Sequence, residues 1–327
     1  MRIVLFLMSF MVVALFEGCE RLPVTPPGQD TFPPAVPSGL MVSYEADGEV
    51  ELFWEDNYEP DIESYSIYRK TDSAGSVYVL AGQTFRNYFF DTGLDYGTRY
   101  FYSILAEDIS GNISALSDTV SARPVNLYAP RKPRNLLVYA HNFQESLTIQ
   151  LSWALPFESD IQYFDIYRSA DGAFLPDSSN KVGRSASTRF DDTTGLVTGV
   201  EYYYKLIAVD KGGLTSVASS VNSDIILPLP EFVFPQNGAY LPRFYQVTVT
   251  GIPFNSTYRL LLQSSEVAGV LWSTEYYHNG NTGEVIIPLQ TYYLVANRDY
   301  YLRIETYRKS ELFPNGISNA VKFAVKS

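Results

Sequence analysis

The chain has 327 residues, of which 46% are hydrophobic and 18% are charged, and this is enough apolar material for two or three cores of ordinary size. Its formal net charge is −12 and its Lys and Arg residues form no long run, which excludes nucleic acid as an expected partner. The single cysteine, Cys19, allows no intrachain disulfide, so the cores must be stabilised by packing.

The N-terminal segment is typical of an export signal. Arg2 is followed by an uncharged apolar run over residues 3–16, which has the length of a signal-peptide core and is too short for a membrane span. Gly18 and Cys19 close the run. This arrangement resembles the signal of bacterial lipoproteins, which implies that Cys19 is lipidated and becomes the mature N-terminus.

We therefore predict a lipoprotein-type signal peptide over residues 1–18 and a membrane partner bound through lipid on Cys19. The residue after the cysteine is Glu20 rather than Asp. The resemblance then favours a lipoprotein of the outer membrane, facing the periplasm or the exterior. A secreted protein with an incidental cysteine is the alternative.

Residues 19–37 are rich in proline and contain no long apolar run. Such segments favour extended polyproline conformation. We predict a semi-rigid tether between the membrane anchor and the first folded module.

The chain then repeats itself. Residues 54–69 recur as residues 153–168, and the match continues to Ser114 and Ser216. The offset between the copies grows along the repeat, as expected when insertions fall in surface loops between fixed strands. The matched residues include Trp54, Asp61, Ile67, Tyr68, Arg69, Asp91, Tyr100, Tyr102, Ala106 and Asp108, which return as Trp153, Asp160, Ile166, Tyr167, Arg168, Asp192, Tyr202, Tyr204, Ala208 and Asp210. A repeat of this size predicts a tandem array of one kind of module.

Alternation of apolar and polar residues predicts β-strands throughout. Val50, Leu52 and Trp54 alternate with Glu51 and Phe53, and the second copy has the same period of two. Turn residues separate the apolar runs at short intervals, and no segment has a convincing helical period. The predicted fold class is therefore all-β, with tandem immunoglobulin-like sandwiches.

Residues 34–228 resemble fibronectin type III domains. Each copy has a proline-flanked start, a Trp on the second strand, a Tyr-Arg pair on the third strand and a Tyr six residues before an Ala. The resemblance implies two seven-stranded sandwiches, module 1 over residues 38–126 and module 2 over residues 127–228. It also implies that Trp54 and Trp153 anchor the cores and that Tyr100 and Tyr202 are tyrosine-corner residues.

Residues 229–327, called module 3, depart from this pattern. The expected second strand, near residues 245–249, lacks the Trp. The segment is similar to divergent fibronectin-like or immunoglobulin-like modules, which implies a third β-sandwich. A different sandwich topology is left open.

No catalytic constellation is visible, and the prediction is a protein that is not an enzyme and has no cofactor and no metal site. His141 and His278 fall in different modules, and the nucleophile and phosphate-binding motifs of common enzymes are absent from the sequence. The acidic loop of residues 55–61, with Glu107 and Asp108 near it, carries the oxygen ligands that calcium prefers. The favoured interpretation is that Asp61 and Asp108 cap turns. A hydrolase in module 3 is a further alternative, and it would require a pocket lined by polar groups.

Aromatic residues make up 15% of the chain, and several occur in adjacent pairs. Successive strand residues face opposite sides of a sheet, so one member of each pair is expected to point outward. We predict a contact surface made of Tyr68, Phe101, Tyr167 and Tyr203. The alternative is that these residues form cross-strand pairs that stabilise the outer face.

The combined prediction is an exported, lipid-anchored, non-catalytic protein that presents its modules to a protein or glycan at the cell envelope. A carbohydrate-binding accessory of a polysaccharide-degrading system is the alternative function. Exposed coplanar aromatic rings on one face would favour that alternative.

Overall fold

The computed structural model describes residues 30–144, 146–309 and 312–327. The predicted signal peptide, Cys19 and residues 19–29 of the predicted tether lie outside the described residues. The described residues form 23 β-strands and no α-helix. They include no helix with the length and apolar character that a membrane span requires.

Module 1 is a sandwich of seven strands. A three-stranded sheet, β1-β2-β5, faces a four-stranded sheet, β4-β3-β6-β7. The strands are β1 Met41–Ala46, β2 Glu49–Phe53, β3 Ile62–Thr71, β4 Val79–Thr84, β5 Tyr88–Asp91, β6 Tyr100–Asp108 and β7 Val120–Ala122.

Module 2 repeats the same arrangement. The strand order β8-β9-β12 matches that of β1-β2-β5, and β11-β10-β13-β14 matches the four-stranded sheet. The strands are β8 Leu137–Phe143, β9 Ser146–Ser152, β10 Ile161–Ser169, β11 Lys181–Ser185, β12 Arg189–Asp192, β13 Glu201–Asp210 and β14 Asn222–Ile225.

Module 3 is also a two-sheet sandwich, with two additional strands. A three-stranded sheet, β15-β17-β20, faces a sheet built around β19-β18-β21, in which β21 also pairs with β22 and β23, and β16 pairs in parallel with β23. The strands are β15 Phe232–Phe234, β16 Ala239–Leu241, β17 Gln246–Thr250, β18 Asn255–Gln263, β19 Val270–Asn279, β20 Glu284–Pro288, β21 Asp299–Tyr307, β22 Gly316–Ile317 and β23 Val321–Val325.

Each module has its own apolar core between its two sheets. In module 1 the inward residues of β2 are Val50 and Leu52, both fully buried, as the alternation of the sequence predicts. The predicted fold class, an all-β chain of tandem immunoglobulin-like sandwiches, is confirmed.

Modules 2 and 3 are joined by a continuous sheet and a shared apolar segment. Strand β8 of module 2 pairs in parallel with β22 of module 3, which produces one nine-stranded sheet across both modules. Beyond this pairing, Ile226 lies in the core of module 2, whereas its neighbours Ile225 and Leu227 lie in the core of module 3. The core of module 3 therefore begins before residue 229, where the sequence placed the boundary.

Modules 1 and 2 meet mainly through polar contacts. The Asp47 carboxylate accepts the backbone N–H groups of Leu127 and Tyr128 at 2.8 and 2.9 Å. Ser159 donates to Glu49 at 2.9 Å. In addition, the Tyr96 hydroxyl donates to Asp160.

The described part of the predicted tether does not extend away from module 1. Pro34 and Pro37 are buried. Ala35 N–H donates to Glu59 at 2.7 Å, and Asn57 donates to the Ala35 carbonyl at 2.8 Å. Residues 30–37 therefore lie against the loops of module 1, so this part of the predicted semi-rigid tether, residues 19–37, does not act as a spacer.

Candidate contact surfaces

The four residues predicted to be structural lie in the cores. Trp54 is fully buried, and Trp153, Tyr100 and Tyr202 are buried. The Tyr100 hydroxyl accepts the backbone N–H of Asp95 at 3.0 Å, and the Tyr202 hydroxyl accepts that of Val197 at 2.9 Å. These contacts have the form of a tyrosine corner.

The same corner occurs in module 3, where no tyrosine corner was predicted from the sequence. The Tyr300 hydroxyl accepts the backbone N–H of Val295 at 2.7 Å, and Tyr300 is buried. The spacing of five residues between donor and acceptor is the same as in modules 1 and 2. That spacing is the signal that could have identified it.

A buried ion pair repeats in modules 1 and 2 and was not predicted either. Arg168 donates to Asp192 at 2.6 Å, and the buried Tyr204 hydroxyl donates to the same carboxylate at 2.8 Å. Burial, followed by the charge of Asp192, raises the pKa of Tyr204, so its hydroxyl stays a donor. Module 1 has the equivalent trio, Arg69, Asp91 and Tyr102. The trio stabilises the interior of modules 1 and 2, where its charged and polar groups are paired with one another.

Two of the four predicted contact residues are in module 1, on the outer face of the four-stranded sheet. Tyr68 and Phe101 are half-buried. The Lys70 ammonium lies 4.7 Å from the Tyr78 ring centre and 5.7 Å from that of Phe101. Such cation–π contacts stabilise the outer face itself. This surface is therefore only partly exposed.

The prediction for module 2 was wrong for Tyr167, which is buried. Its cross-strand neighbour on β13 is Lys205, and the Lys205 ammonium donates to the Phe174 carbonyl at 2.6 Å. The loop of residues 170–180 therefore folds back over this face. Tyr203 is half-buried, and its ring lies so close to Gly172 of the same loop that a Cβ there would approach it to 2.9 Å.

The exposed aromatic surface of module 1 lies instead on the outer side of β2 and β5. Phe53 and Phe90 are 42% and 51% exposed, and Tyr88 is directly opposite Phe53. Met41 of β1 faces Phe53 on the other side and is also exposed. We call Met41, Phe53, Tyr88 and Phe90 the aromatic face. The Tyr88 and Phe90 rings are 5.8 Å apart and inclined at 77°, so they are not coplanar.

A groove lies at the corresponding sheet of module 2, where module 3 adjoins it. It has a volume of about 490 Å³. Tyr139, Gln150 and Asp191 form one row across its floor, because they are aligned on three neighbouring strands. His141 and Phe313 also line it. We call this the module 2–3 groove. Its lining combines aromatic rings with side chains that donate hydrogen bonds and side chains that accept them.

Both histidines have structural contacts. The His141 imidazole lies 3.1 Å from the Pro314 carbonyl and so bridges modules 2 and 3. His278 is buried, stacks on Tyr258 at 4.7 Å and bonds the Ile252 carbonyl at 2.7 Å. Neither is paired with a nucleophile in the part of the chain that the structure describes.

The acidic residues near the start of module 1 converge. Asp30, Asp61 and Asp108 bring one carboxylate oxygen each within 4.8 Å of one another. Asp108 is buried and accepts the N–H groups of Ser110 and Asn112 at 2.8 and 2.9 Å, which agrees with the predicted turn-capping role. Burial opposes ionisation of Asp108, but these bonds and the Asn112 amide outweigh it and lower its pKa.

Comparison with known proteins identifies relatives of part of the chain. No family model matches. Exoglucanase B of Cellulomonas fimi is 28% identical over 203 residues, which are 59% of this chain and 17% of the relative. Chitinase A1 of Niallia circulans is 29% identical over 212 residues, 61% of this chain and 27% of the relative. Chitinase Chi52 of Paenibacillus xylanexedens is 34% identical over 128 residues, 37% of this chain and 23% of the relative.

The chain thus spans less than a third of the length of each of these relatives. Among solved structures, the crystal structure of the FN1–FN3 domains of chicken CNTN1 aligns with a TM-score of 0.35 and 12% identity, over 90% of this chain and 100% of that chain. The strand orders and tyrosine corners of modules 1 and 2 support the fibronectin type III resemblance. The three relatives described above are enzymes named for glucan or chitin.

Proposed function

We propose that the chain is an exported, lipid-anchored, non-catalytic protein that presents its three sandwiches as contact surfaces at the cell envelope. The observation that carries the proposal is the junction of modules 2 and 3. A continuous nine-stranded sheet and a shared apolar segment join these modules. Such a junction resists bending, which suits an element that holds surfaces at a fixed distance and orientation.

The chemistry of the described residues supports the non-catalytic part. The carboxylates of Asp91 and Asp192 are paired with Arg69 and Arg168 inside the modules. The buried His278 is held by a backbone carbonyl. These groups stabilise the sandwiches, and activity would need a nucleophile or acid–base pair next to a pocket.

The anchor is tested by comparing the protein from its native membrane with a Cys19→Ser variant. We expect the wild-type chain to start at a lipid-modified Cys19 and to partition into detergent, and the variant to lose both properties. Intact mass and phase partitioning measure these two properties. An unmodified wild-type chain found free in solution would contradict the anchor and leave a secreted array.

A second candidate is a carbohydrate-binding accessory of a polysaccharide-degrading system. The names of the relatives support it, as does the module 2–3 groove, because Tyr139 offers a ring for stacking and Gln150 and Asp191 offer hydrogen-bond partners. The aromatic face supports it less, since the 77° between Tyr88 and Phe90 does not form a flat platform.

Double variants of each surface, compared by affinity electrophoresis with soluble glucan and soluble chitin, show which of the two surfaces binds carbohydrate. For the groove we propose Tyr139→Ala with Asp191→Ala, and for the aromatic face Phe53→Ser with Phe90→Ser. Tyr58→Ser is the matched control, because this side chain is fully exposed. We expect retardation to be lost with the groove pair and kept with the control. Unretarded wild-type protein on both polymers would reject the accessory function.

A further inference from the structure

The boundary between modules 1 and 2 gathers uncompensated acidic groups. Asp160 and Asp210 of module 2 are buried, and within the described chain neither forms an ion pair. Asp210 is directly opposite Ile161, and the N–H of Lys211 donates to the Asp160 carbonyl at 2.9 Å. The two carboxylates therefore belong to neighbouring positions at the end of one sheet. Two buried negative charges in such a place are costly without a positive partner.

Asn126, in the connection between β7 of module 1 and β8 of module 2, completes the arrangement. Its amide donates to Asp210 Oδ1 at 3.1 Å, which places Asn126 Oδ1 beside the same carboxylate. Asn126 precedes Pro130 by the same interval as Asp30 precedes Pro34. By the repeat, Asn126, Asp160 and Asp210 occupy the places of Asp30, Asp61 and Asp108, whose oxygens lie within 4.8 Å of one another.

The second observation is a pair of buried oxygens without a donor. Asp210 Oδ2 and Asn126 Oδ1 are buried and have no hydrogen-bond partner. Asp210 itself is fully buried. An unsatisfied buried acceptor is destabilising, and more so when it is charged. Both atoms are acceptors, so they require a donor or a cation.

The repeat explains why the oxygen of Asp210 is unpartnered. In module 1 the side-chain amide of Asn112 donates to Asp108 Oδ2 at 2.9 Å. The residue at that place in module 2 is Leu214, whose backbone N–H still donates to Asp210 Oδ1 at 2.8 Å. Leucine has no side-chain donor. Module 2 has thus replaced the internal donor by an apolar residue and kept the buried charge.

We propose that the side-chain oxygens of Asn126, Asp160 and Asp210 bind a calcium ion at the boundary between modules 1 and 2. Calcium binds carboxylate, amide and water oxygens in flexible geometry. With three protein oxygens bound, its remaining coordination positions would be filled by water molecules. A calcium ion neutralises both buried carboxylates, which a water molecule does not. The proposal departs from the expectation, drawn from the sequence, that the chain has no metal site.

The ion links the two modules because its ligands have contacts on both sides. Asn126 belongs to the connecting segment, and the Tyr96 hydroxyl of module 1 donates to Asp160. The junction of modules 2 and 3 is closed by a sheet, whereas this junction is stiffened by an ion.

The test uses the full chain, freed of metal by a chelator and titrated with terbium. Terbium substitutes for calcium, and its emission is sensitised by a nearby tyrosine, here Tyr96. We expect saturable emission that calcium displaces with a Kd on the order of 0.1–1 mM, the range of extracellular calcium modules. The emission should fall several-fold in Tyr96→Phe. Wild-type protein without saturable emission would overturn the proposal and assign a water to the site.

Variants locate the ion. Asp210→Asn is expected to lower the affinity for calcium at least ten-fold. Leu214→Asn should have the same effect, because it restores the donor found in module 1 and leaves the acidic residues in place. Asp108→Asn in module 1 is the matched control and should keep the affinity. Loss of binding in Asp108→Asn with retention in the two module 2 variants would place the ion in module 1 and refute the proposal. Folding of each variant is checked by hydrogen exchange of β13 and β6.

Discussion

Replacing Asp192 by alanine should destabilise module 2 much more than modules 1 and 3. The Asp192 side chain is 1% exposed and that of Arg168 is 16% exposed. The substitution leaves the guanidinium without its counter-ion and the fully buried Tyr204 hydroxyl without its acceptor. Breaking a buried pair by removing one partner costs about 3–5 kcal/mol. We expect the lower part of that range, because Arg168 also donates to the Thr194 carbonyl at 2.8 Å.

The assay must resolve the modules, because a three-module chain does not unfold in one step. Hydrogen exchange with mass spectrometry, followed through a denaturant series, gives a free energy of opening for peptides of β10, β12 and β13. Asp91→Ala in module 1 is the matched control. Its partner Arg69 is 29% exposed, so water replaces part of the lost interaction and the cost should be smaller.

A double variant separates charge from packing. Arg168→Met with Asp192→Leu removes both charges, and it should recover part of the loss because no buried charge is left unpaired. A loss in Asp192→Ala below about 1 kcal/mol would refute this reasoning, since that is the scale of a solvent-exposed pair. An equal loss in all three modules would refute it as well, because the trio lies within one module.

Three further predictions concern one module each. Tyr300→Phe removes the acceptor of a backbone N–H and should cost module 3 about 1–2 kcal/mol in hydrogen-exchange free energy. Gly183→Ala would press a Cβ into the Phe190 ring, so module 2 should lose about 1–3 kcal/mol in the same assay. Burial, and then the hydrogen bond to Asp47, raise the pKa of Tyr44 from 10.0 to about 12. The stabilising contribution of neutral Tyr44 should be complete below pH 10 and be lost as the pH rises through about 12. An ultraviolet titration measures the pKa: Tyr44→Phe should show one tyrosine fewer than wild type ionising in that range.

The inner residues of modules 1 and 2 could be predicted because the repeat marks them twice. Trp54 and Trp153 stand at the same place in each copy, and alternation along β2 and β9 assigns their neighbours to the core. The same alternation places Phe53 outward, so part of the aromatic face was readable from the sequence. Which outward residues stay exposed was not readable, since that depends on loops that fold over the sheet.

Tyr167 illustrates this limit. Its position in the repeat matches that of the half-buried Tyr68, but the loop that follows it differs in length and composition. Phe174 in that loop is buried, and its carbonyl accepts the ammonium of Lys205, the cross-strand neighbour of Tyr167. Strand periodicity determines the side of the sheet and carries no information about a covering loop.

The junctions could not be derived from the module pattern for a similar reason. A run of three buried residues, Ile225, Ile226 and Leu227, cannot all face the core of one sandwich, because neighbouring strand residues face opposite sides. Such a run at the end of a module requires a second apolar partner, and module 3 provides it. The run was visible in the sequence, but the predicted boundary between residues 228 and 229 assigned all three residues to module 2.

The outer faces of modules 1 and 2 have diverged where their cores have not. In module 1 the outward positions of β2 and β5 carry Phe53, Tyr88 and Phe90, whereas the equivalent positions of module 2 carry Ser152, Arg189 and Asp191. Packing constrains the inner positions, so identical residues there say little about partners. The outward positions are free of that constraint, and a change from aromatic to polar or charged residues alters what a surface can bind. The two modules therefore share a fold but offer different contacts, and a partner of the aromatic face should not bind the groove beside module 3.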